Sequence, residues 1–307
     1  MPKFRLLALA IFIFCFSVIP AIATDCTAPV LLYRVGGPAP DKRFATSVAT
    51  VGDLNGDGRS DFIVGAPNTS PNGISAAGTV YVYSGIDGAF LYQLNGENSG
   101  EGFGQSVAGI GDINDDAIPD FTAGANTYVA VYSGSDSSLI SKINIPPLTP
   151  GFWLGPSVAG VGDVNGDSTS DFIIGLPNNT PDSIDFAGSA FIYSGPDGTF
   201  LYQTDGAGLG DFLGFSVAGL GDITGDGKAD FIAGAPYGDT SYFGNYWQGS
   251  VGVYSSGDSS LILQQFGDKP RDYLGWSVSA VGDFDGDAKN DFIAGAPYQT
   301  GGPDPIR

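Results

Sequence analysis

The sequence predicts an all-β protein whose strands repeat in four-stranded units, arranged as the blades of a β-propeller. An acidic loop of nine residues recurs five times, beginning at positions 53, 112, 163, 222 and 283. Between these loops lie short runs rich in Phe, Tyr, Val and Ile, with no amphipathic helix pattern after the N-terminal segment. A single unit of this length cannot bury both faces, so the units must stack on one another. A β-solenoid is the alternative architecture, but its repeats are much shorter.

Residues 1–23 are predicted to be a signal peptide. Lys3 and Arg5 precede an apolar run that extends from Leu6 to Ile19, and Ala21-Ile22-Ala23 provides a small-residue cleavage site. We therefore expect a secreted or cell-surface protein. An uncleaved anchor is the alternative, although the apolar run is short for a bilayer span and ends at Pro20. Cys26 is left as a lone thiol after cleavage, so packing and metal rather than an intrachain disulfide must hold the fold.

The composition excludes several classes of function. The chain has 33 acidic and 12 basic residues and a formal net charge of -21, a balance that repels nucleic acid and anionic lipid. It contains no histidine, which removes Ser-His-Asp triads and imidazole metal sites. A pair of carboxylates could still hydrolyse glycosides, but every clustered Asp already belongs to a repeated loop. We expect no enzyme, no nucleic-acid partner and no direct lipid binding.

Each unit is predicted to contain four strands in a fixed order. A strand with a Ser-Val-Ala sequence leads into the acidic loop, and a Phe-Ile-Val strand follows it. A Gly-Ala-Pro turn, a strand ending in Tyr-Ser-Gly and a strand like Phe90-Leu91-Tyr92-Gln93 complete the unit. Val30 to Gly37 resembles this last strand followed by a turn. The predicted domain covers residues 24–307, with repeats around 38–96, 97–145, 146–206, 207–266 and 267–307.

The acidic loops are predicted to bind Ca²⁺. Each has oxygen-bearing side chains at positions 1, 3, 5 and 9, and a backbone carbonyl at position 7 is available as well. A cation of this size takes six to eight oxygen ligands. A hairpin turn also favours Asp, Asn and Gly, but it does not need four oxygens at the same offsets in five copies. The predicted ligands are Asp53, Asn55, Asp57 and Asp61; Asp112, Asn114, Asp116 and Asp120; Asp163, Asn165, Asp167 and Asp171; Asp222, Thr224, Asp226 and Asp230; Asp283, Asp285, Asp287 and Asp291.

The five loops differ in quality. The loop is not an EF-hand, because Val64 occupies position 12, where that motif has a bidentate Glu, and the flanking residues favour strands. Gly56 and Gly58 permit the positive φ angles of a tight curl. The second loop lacks both glycines and is expected to be stiffer, and the fourth has the weaker ligand Thr224. We therefore rank loops one, three and five above loops two and four.

The spacing of further motifs resembles a known family. Phe103-Gly104 followed by Gly124-Ala125, together with Gly65-Ala66-Pro67 and its counterparts at 234–236 and 295–297, resembles the FG-GAP repeats that form the integrin α-chain propeller. The resemblance covers residues from about 30 to 300. In that family the loop between the first two strands of a blade binds Ca²⁺, and complete propellers have seven blades. The present sequence ends within a blade, so we expect it to be truncated from about seven.

The resemblance implies an extracellular module for adhesion, or for recognition of a protein or a glycan. Family ligands bind on the face opposite the acidic loops, here the stretches Asn68–Ala77, Asn178–Phe186 and Tyr237–Gln248. The third stretch contains Tyr242, Phe243, Tyr246 and Trp247, aromatic residues suited either to ligand binding or to packing between blades. Two alternatives remain: a calcium-rigidified spacer in a larger surface protein, and a non-catalytic accessory propeller of a secreted hydrolase.

Overall fold

The computed structural model describes residues 34–37, 43–146, 155–238 and 247–298. In these residues, eighteen strands form five antiparallel sheets, each with its strands in sequence order. The first sheet comprises β1 (Ser47–Gly52), β2 (Asp61–Ala66), β3 (Thr79–Tyr83) and β4 (Phe90–Asn95). The second comprises β5 (Ser106–Gly111), β6 (Asp120–Gly124), β7 (Tyr128–Tyr132) and β8 (Leu139–Asn144). The third comprises β9 (Ser157–Gly162), β10 (Asp171–Leu176), β11 (Ser189–Tyr193) and β12 (Phe200–Asp205). The fourth comprises β13 (Ser216–Gly221), β14 (Asp230–Ala235), β15 (Ser250–Tyr254) and β16 (Leu261–Phe266). The fifth comprises β17 (Ser277–Gly282) and β18 (Asp291–Gly295).

Helical structure in the described residues is limited to two single turns of 3₁₀ helix, Pro71–Gly73 and Pro181–Ser183. Both lie in connections between a second and a third strand, and neither was expected from the sequence. No helix in the described ranges is long and apolar enough to cross a bilayer.

The sheets are arranged as propeller blades. The first strand of each sheet lies beside the first strand of the next, so these strands form the inner edge of the array. A separate hydrophobic core fills each gap between neighbouring sheets. Between the first two sheets, Ile63 and Val80 of one sheet pack in the same core as Phe103 and Phe121 of the next. Burial of each such side chain contributes roughly 1.5–3 kcal/mol, and most strand residues of the inner layers are enclosed on both faces. The all-β propeller fold is confirmed.

The Phe-Gly and Gly-Ala motifs join neighbouring blades. Gly104, with φ of +87°, lies so close to Gly65 of the preceding blade that a Cβ on Gly65 would be 1.9 Å from the Gly104 carbonyl oxygen. The Ser47 hydroxyl donates a hydrogen bond to that same carbonyl at 2.9 Å. Ser157 and Ser216 donate equivalent bonds to the next blade, at 2.8 and 2.9 Å. We call these contacts the blade staples.

Two faces of the array follow from the strand order. The acidic face carries the loops between first and second strands and the turns between third and fourth strands. The opposite face carries the remaining connections, including those between sheets. The predicted order of strands within a unit is confirmed. Of the predicted strand at Val30–Gly37, residues 30–33 lie outside the described ranges, and Arg34 to Gly37 are not in a strand. The predicted signal peptide also lies outside the described residues.

Candidate metal centres

The carboxylate at position 1 organises each acidic loop. In the first loop, Asp53 accepts hydrogen bonds from the backbone N–H groups of Gly56, Asp57 and Gly58, at 2.8, 3.1 and 2.7 Å. Asp163, Asp222 and Asp283 accept the same three bonds in their loops. The chain is thereby wrapped around one carboxylate group, as a small binding loop requires.

Positions 4 and 6 supply the backbone conformation for this wrapping. In the first loop Gly56 and Gly58 have φ angles of +75° and +83°. The second loop reaches the same conformation without glycine, since Asp115 and Ala117 have φ angles of +61° and +68°. Non-glycine residues pay a steric cost there. The second loop thus keeps the shape of the others at a cost in strain.

Positions 3 and 5 lie next to each other on the loop surface. Asn55 Oδ1 accepts a bond from the backbone N–H of Asp57 at 2.9 Å, and Asp57 Oδ1 accepts one from Arg59 N–H at 3.0 Å. The other oxygen of Asp57 accepts a bond from the Ser84 hydroxyl at 2.9 Å. In the second loop Ser135 donates to Asp116 at 2.7 Å. These serines lie in the turn between the third and fourth strands, which therefore forms one side of the candidate site.

Position 9 has a different environment. Asp61, Asp120, Asp171 and Asp230 are fully buried, whereas the other predicted ligands are half-buried or exposed. In the third blade Asp171 Oδ2 accepts a bond from Val164 N–H at 2.9 Å, and its Oδ1 accepts one from Gly195 N–H at 3.0 Å. The same pair of bonds recurs in the first, second and fourth blades. This carboxylate therefore ties the loop to the turn between the third and fourth strands.

The pKa values of several carboxyl groups at positions 5 and 9 are shifted, in opposite directions. The Asn55 amide and the Ser84 hydroxyl hold the pKa of Asp57 below its ordinary value. The Ser135 hydroxyl does the same for the pKa of Asp116. Burial raises the pKa of Asp171, against the opposing effect of its two backbone donors, and the pKa values of Asp120 and Asp230 are raised for the same reason. A nearby divalent cation favours the ionised form of such buried carboxyl groups.

The fifth loop brings three carboxylates together. Asp283, Asp285 and Asp287 each have an oxygen within 4.8 Å of the others, and all three side chains are exposed. Oxygens on opposite sides of a Ca²⁺ ion, each at about 2.4 Å, are separated by about this distance. Asp291 is not part of this group: it accepts bonds from Phe284 N–H and Asp285 N–H, at 2.8 and 3.2 Å. The donor set fits a hard cation, because it consists of oxygens whose like charges a divalent ion would offset.

Sequence reasoning missed two groups that shape these sites. One is the apolar side chain at position 2, which is buried beneath the loop in Leu54, Ile113, Val164 and Ile223. The other is the serine that contacts position 5. Both were visible as regularities: position 2 is apolar in all five loops, and the third strands end in Tyr-Ser.

Comparison with known proteins identifies the repeats. The family model described as FG-GAP repeat matches residues 44–83, 213–254 and 274–304. The chain contains FG-GAP repeats. The matched segments lie in the first, fourth and fifth repeats. The second and third repeats, where Asn126 and Leu176 depart from Gly-Ala-Pro, nevertheless form sheets with the same strand order.

Curated proteins similar to this chain include integrin alpha chains. Integrin alpha-5 of Xenopus laevis is 35% identical over 153 residues, covering 48% of this chain and 14% of the relative. Integrin alpha-V of Gallus gallus is 28% identical over 229 residues, covering 67% and 21%. Integrin alpha-8 of Mus musculus is 27% identical over 255 residues, covering 73% and 22%. The chain therefore spans less than a quarter of the length of these relatives. The predicted resemblance to integrin α chains is confirmed.

Proposed function

We propose that this protein is an extracellular recognition module whose FG-GAP blades are stabilised by Ca²⁺ bound in the five acidic loops. The observation that carries the proposal is the repetition of one loop geometry, with position 1 wrapped by backbone N–H groups and oxygens of positions 3 and 5 beside it. The ions would be held by the oxygens of positions 1, 3 and 5, which are carboxylate or amide oxygens except for the Thr224 hydroxyl in the fourth loop. The buried carboxylate at position 9 would either hold the loop backbone in place through its hydrogen bonds or serve as a further ligand.

The proposal assigns the calcium a mechanical role. The acidic loop joins the first and second strands, and position 9 bonds to the turn between the third and fourth strands. An ion in the loop would therefore fix both hairpins of a blade at once. Rigid blades would present the opposite face to a ligand with little loss of conformational entropy on binding, which favours affinity.

We also propose that the chain is not an enzyme and that it acts outside the cell. Similarity to integrin alpha chains supports an adhesion or recognition role at the cell surface. The absence of histidine from the sequence removes the commonest general base, and the clustered carboxylates belong to the acidic loops. The partner we infer is an extracellular protein or glycan.

Thermal unfolding of the purified chain in Ca²⁺ and in chelator tests the calcium role, alongside a count of bound ions. Each site filled at a free calcium concentration of 100 times its Kd would add about 2.7 kcal/mol to the free energy of unfolding. We expect a large calcium-dependent rise in melting temperature and several ions per chain. Mg²⁺ at the same concentration serves as a control for ion size and should stabilise less.

Two variants locate the effect. Asp57→Ala and Asp167→Ala each remove one exposed position-5 carboxylate, and each should lower stability in calcium while leaving the calcium-free protein little changed. Asp185→Ala removes the same charge from an exposed position outside the loops and should change neither. Equal losses with and without calcium in the two loop variants would contradict the proposal.

A further inference from the structure

An aromatic pocket lies on the opposite face, between the fourth and fifth blades. It has a volume of about 380 Å³ and is lined by Tyr237, Arg271, Tyr273, Trp276 and Tyr298. Tyr237 follows β14 and Tyr298 follows β18, while the other three residues belong to the connection between β16 and β17. We call these five residues the aromatic pocket. Three separate segments of chain therefore meet there.

The rings of the pocket meet at steep angles and are not stacked in parallel. Tyr237 and Trp276 meet the ring of Tyr273 nearly at right angles, at 84° and 89°, with centroids 5.2 and 6.3 Å away. Tyr298 meets it at 62° and 5.2 Å. In edge-to-face pairs of this kind the edge of one ring points at the face of the other, so the ring planes around Tyr273 stand at steep angles to one another. Trp276 is 37% exposed and Tyr298 is 59% exposed.

The fold itself does not require these aromatic residues. Trp276 follows Leu274-Gly275, which takes the place of the Phe-Gly motif in the fifth blade. The position equivalent to Trp276 is Gln105 in the second blade and Pro156 in the third. Tyr298 follows a Gly-Ala-Pro turn, where the first blade has Asn68. The second and third blades nevertheless form the same sheets, and the second blade accepts the same blade staple from the first. The fold therefore does not demand an aromatic ring at these positions, although the neighbouring junction also has rings there, in Phe212 and Phe215.

Of the predicted aromatic residues in the stretch Tyr237–Gln248, Tyr242, Phe243 and Tyr246 lie outside the described residues. Trp247 contacts two of the pocket rings and Arg271. Its ring lies 6.2 Å from Tyr237 and 6.0 Å from Tyr273, and the Arg271 guanidinium lies 5.9 Å from its centroid. The cation–π contact holds Arg271 at the rim, where its five N–H donors can meet an oxygen-rich ligand.

The charge of the pocket selects among occupants. Arg271 in the lining disfavours a cationic ligand, which open aromatic faces would otherwise suit. The net charge of -21 disfavours a polyanion. A neutral sugar ring meets both conditions: its C–H face stacks on an aromatic ring, and its hydroxyl groups accept bonds from Arg271 and exchange bonds with tyrosine hydroxyls. The volume falls within the usual range of small-ligand sites, about 300–1,000 Å³.

We propose that the aromatic pocket binds a neutral pyranose unit of an extracellular glycan. This rests on the recognition role proposed above and names its ligand class. The site needs no metal of its own, since it lies on the face remote from the acidic loops. Calcium would act on it only by holding the blades rigid.

The test uses the full chain in calcium on a glycan array that carries neutral hexose, pentose and N-acetylhexosamine oligosaccharides beside sialylated, uronate and sulfated ones. We expect retention on one or more neutral glycans. Titration of the free oligosaccharide, followed by tryptophan fluorescence, should then give a saturable change, because Trp276 is one of three tryptophans. Retention on acidic glycans alone, or on none, would overturn the proposal.

Three variants test whether the glycan binds in the aromatic pocket. Trp276→Ala and Tyr298→Ala should each weaken binding about tenfold or more, as expected for loss of one stacking ring in a pocket. Phe200→Ala removes an exposed aromatic ring from the outer strand of the third blade and should bind as the wild type does. Tyr298→Ala keeps the test informative if Trp276→Ala folds poorly, because Tyr298 is the more exposed. Unchanged affinity in Tyr298→Ala would refute the assignment.

The two proposals fail separately. Calcium stabilisation without glycan retention would remove the sugar site alone and leave a calcium-stabilised module with a protein ligand. Glycan binding without a calcium-dependent rise in melting temperature would remove the calcium role and leave the sugar site.

Discussion

Replacement of Asp171 by alanine separates the structural role of position 9 from metal binding. Asp171 is fully buried, and its two oxygens accept bonds from Val164 N–H at 2.9 Å and Gly195 N–H at 3.0 Å. Asp171→Ala leaves both buried donors unpaired, at about 1–3 kcal/mol each. Loss of a carboxylate whose pKa burial has raised offsets part of this cost. We expect a net destabilisation of about 2–4 kcal/mol without any metal present.

The measurement is thermal unfolding in chelator, where metal binding contributes nothing. For a chain of this size, 1 kcal/mol corresponds to a change in Tm of about 2–3 °C, so Asp171→Ala should lower Tm by about 5–10 °C. Asp167→Ala, four residues away in the same loop, should leave Tm in chelator within about 2 °C, because exposed side chains contribute little. If Asp171→Ala matched the wild type in chelator, the two hydrogen bonds would not be the source of loop anchoring.

Three further outcomes test other parts of the structure. Ala45, which replaces the glycine of the Phe-Gly motif in the first blade, has φ of +63°, and Ala45→Gly should raise the free energy of unfolding by about 0.5–1 kcal/mol in denaturant titration. Gly175→Ala should cost about 3 kcal/mol or more, or abolish soluble expression, because the new Cβ would lie 2.1 Å from the Gly214 carbonyl oxygen. Glu101 is buried, which opposes its ionisation, but the Asn98 amide and backbone donors prevail and hold its pKa below the ordinary value. A depressed pKa stabilises the fold above the unfolded-state pKa, so Glu101→Gln should be less stable than the wild type at pH 7, and the difference should shrink as pH falls below about 4. A constant difference across that range would contradict the assignment.

Much of the fold could be predicted because the repeated motifs consist of residues that favour particular backbone conformations. The position-1 aspartates, the Phe-Gly and Gly-Ala motifs and the Tyr-Ser strand ends each recur at fixed offsets. Five copies together distinguish a stacked sheet protein from a chain with one acidic turn. Strand order within a unit followed from those offsets, since each motif marks the end of one strand and the start of the next.

The environment of each oxygen could not be predicted. Asp57 and Asp61 are equivalent in sequence as acidic loop residues, yet one is exposed beside Ser84 and the other is buried between two backbone donors. That difference depends on the turn between the third and fourth strands, more than twenty residues away. The aromatic pocket could not be predicted for a similar reason, because Tyr237 and Tyr298 belong to different blades and come together against Tyr273.

The blade staples have a consequence for how the molecule unfolds. Each staple joins only adjacent blades, and each hydrophobic core is shared by only two, so stability is a sum of blade terms and nearest-neighbour coupling terms. Weakening one junction, for example with Ser157→Ala, reduces a single coupling term and leaves the others intact. The blades on either side of that junction would then unfold more independently of one another, and the chain would behave as two shorter arrays joined by a hinge. Cooperativity in this protein therefore depends on the contacts between blades, and the most weakly coupled junction sets the length of chain that unfolds as one unit.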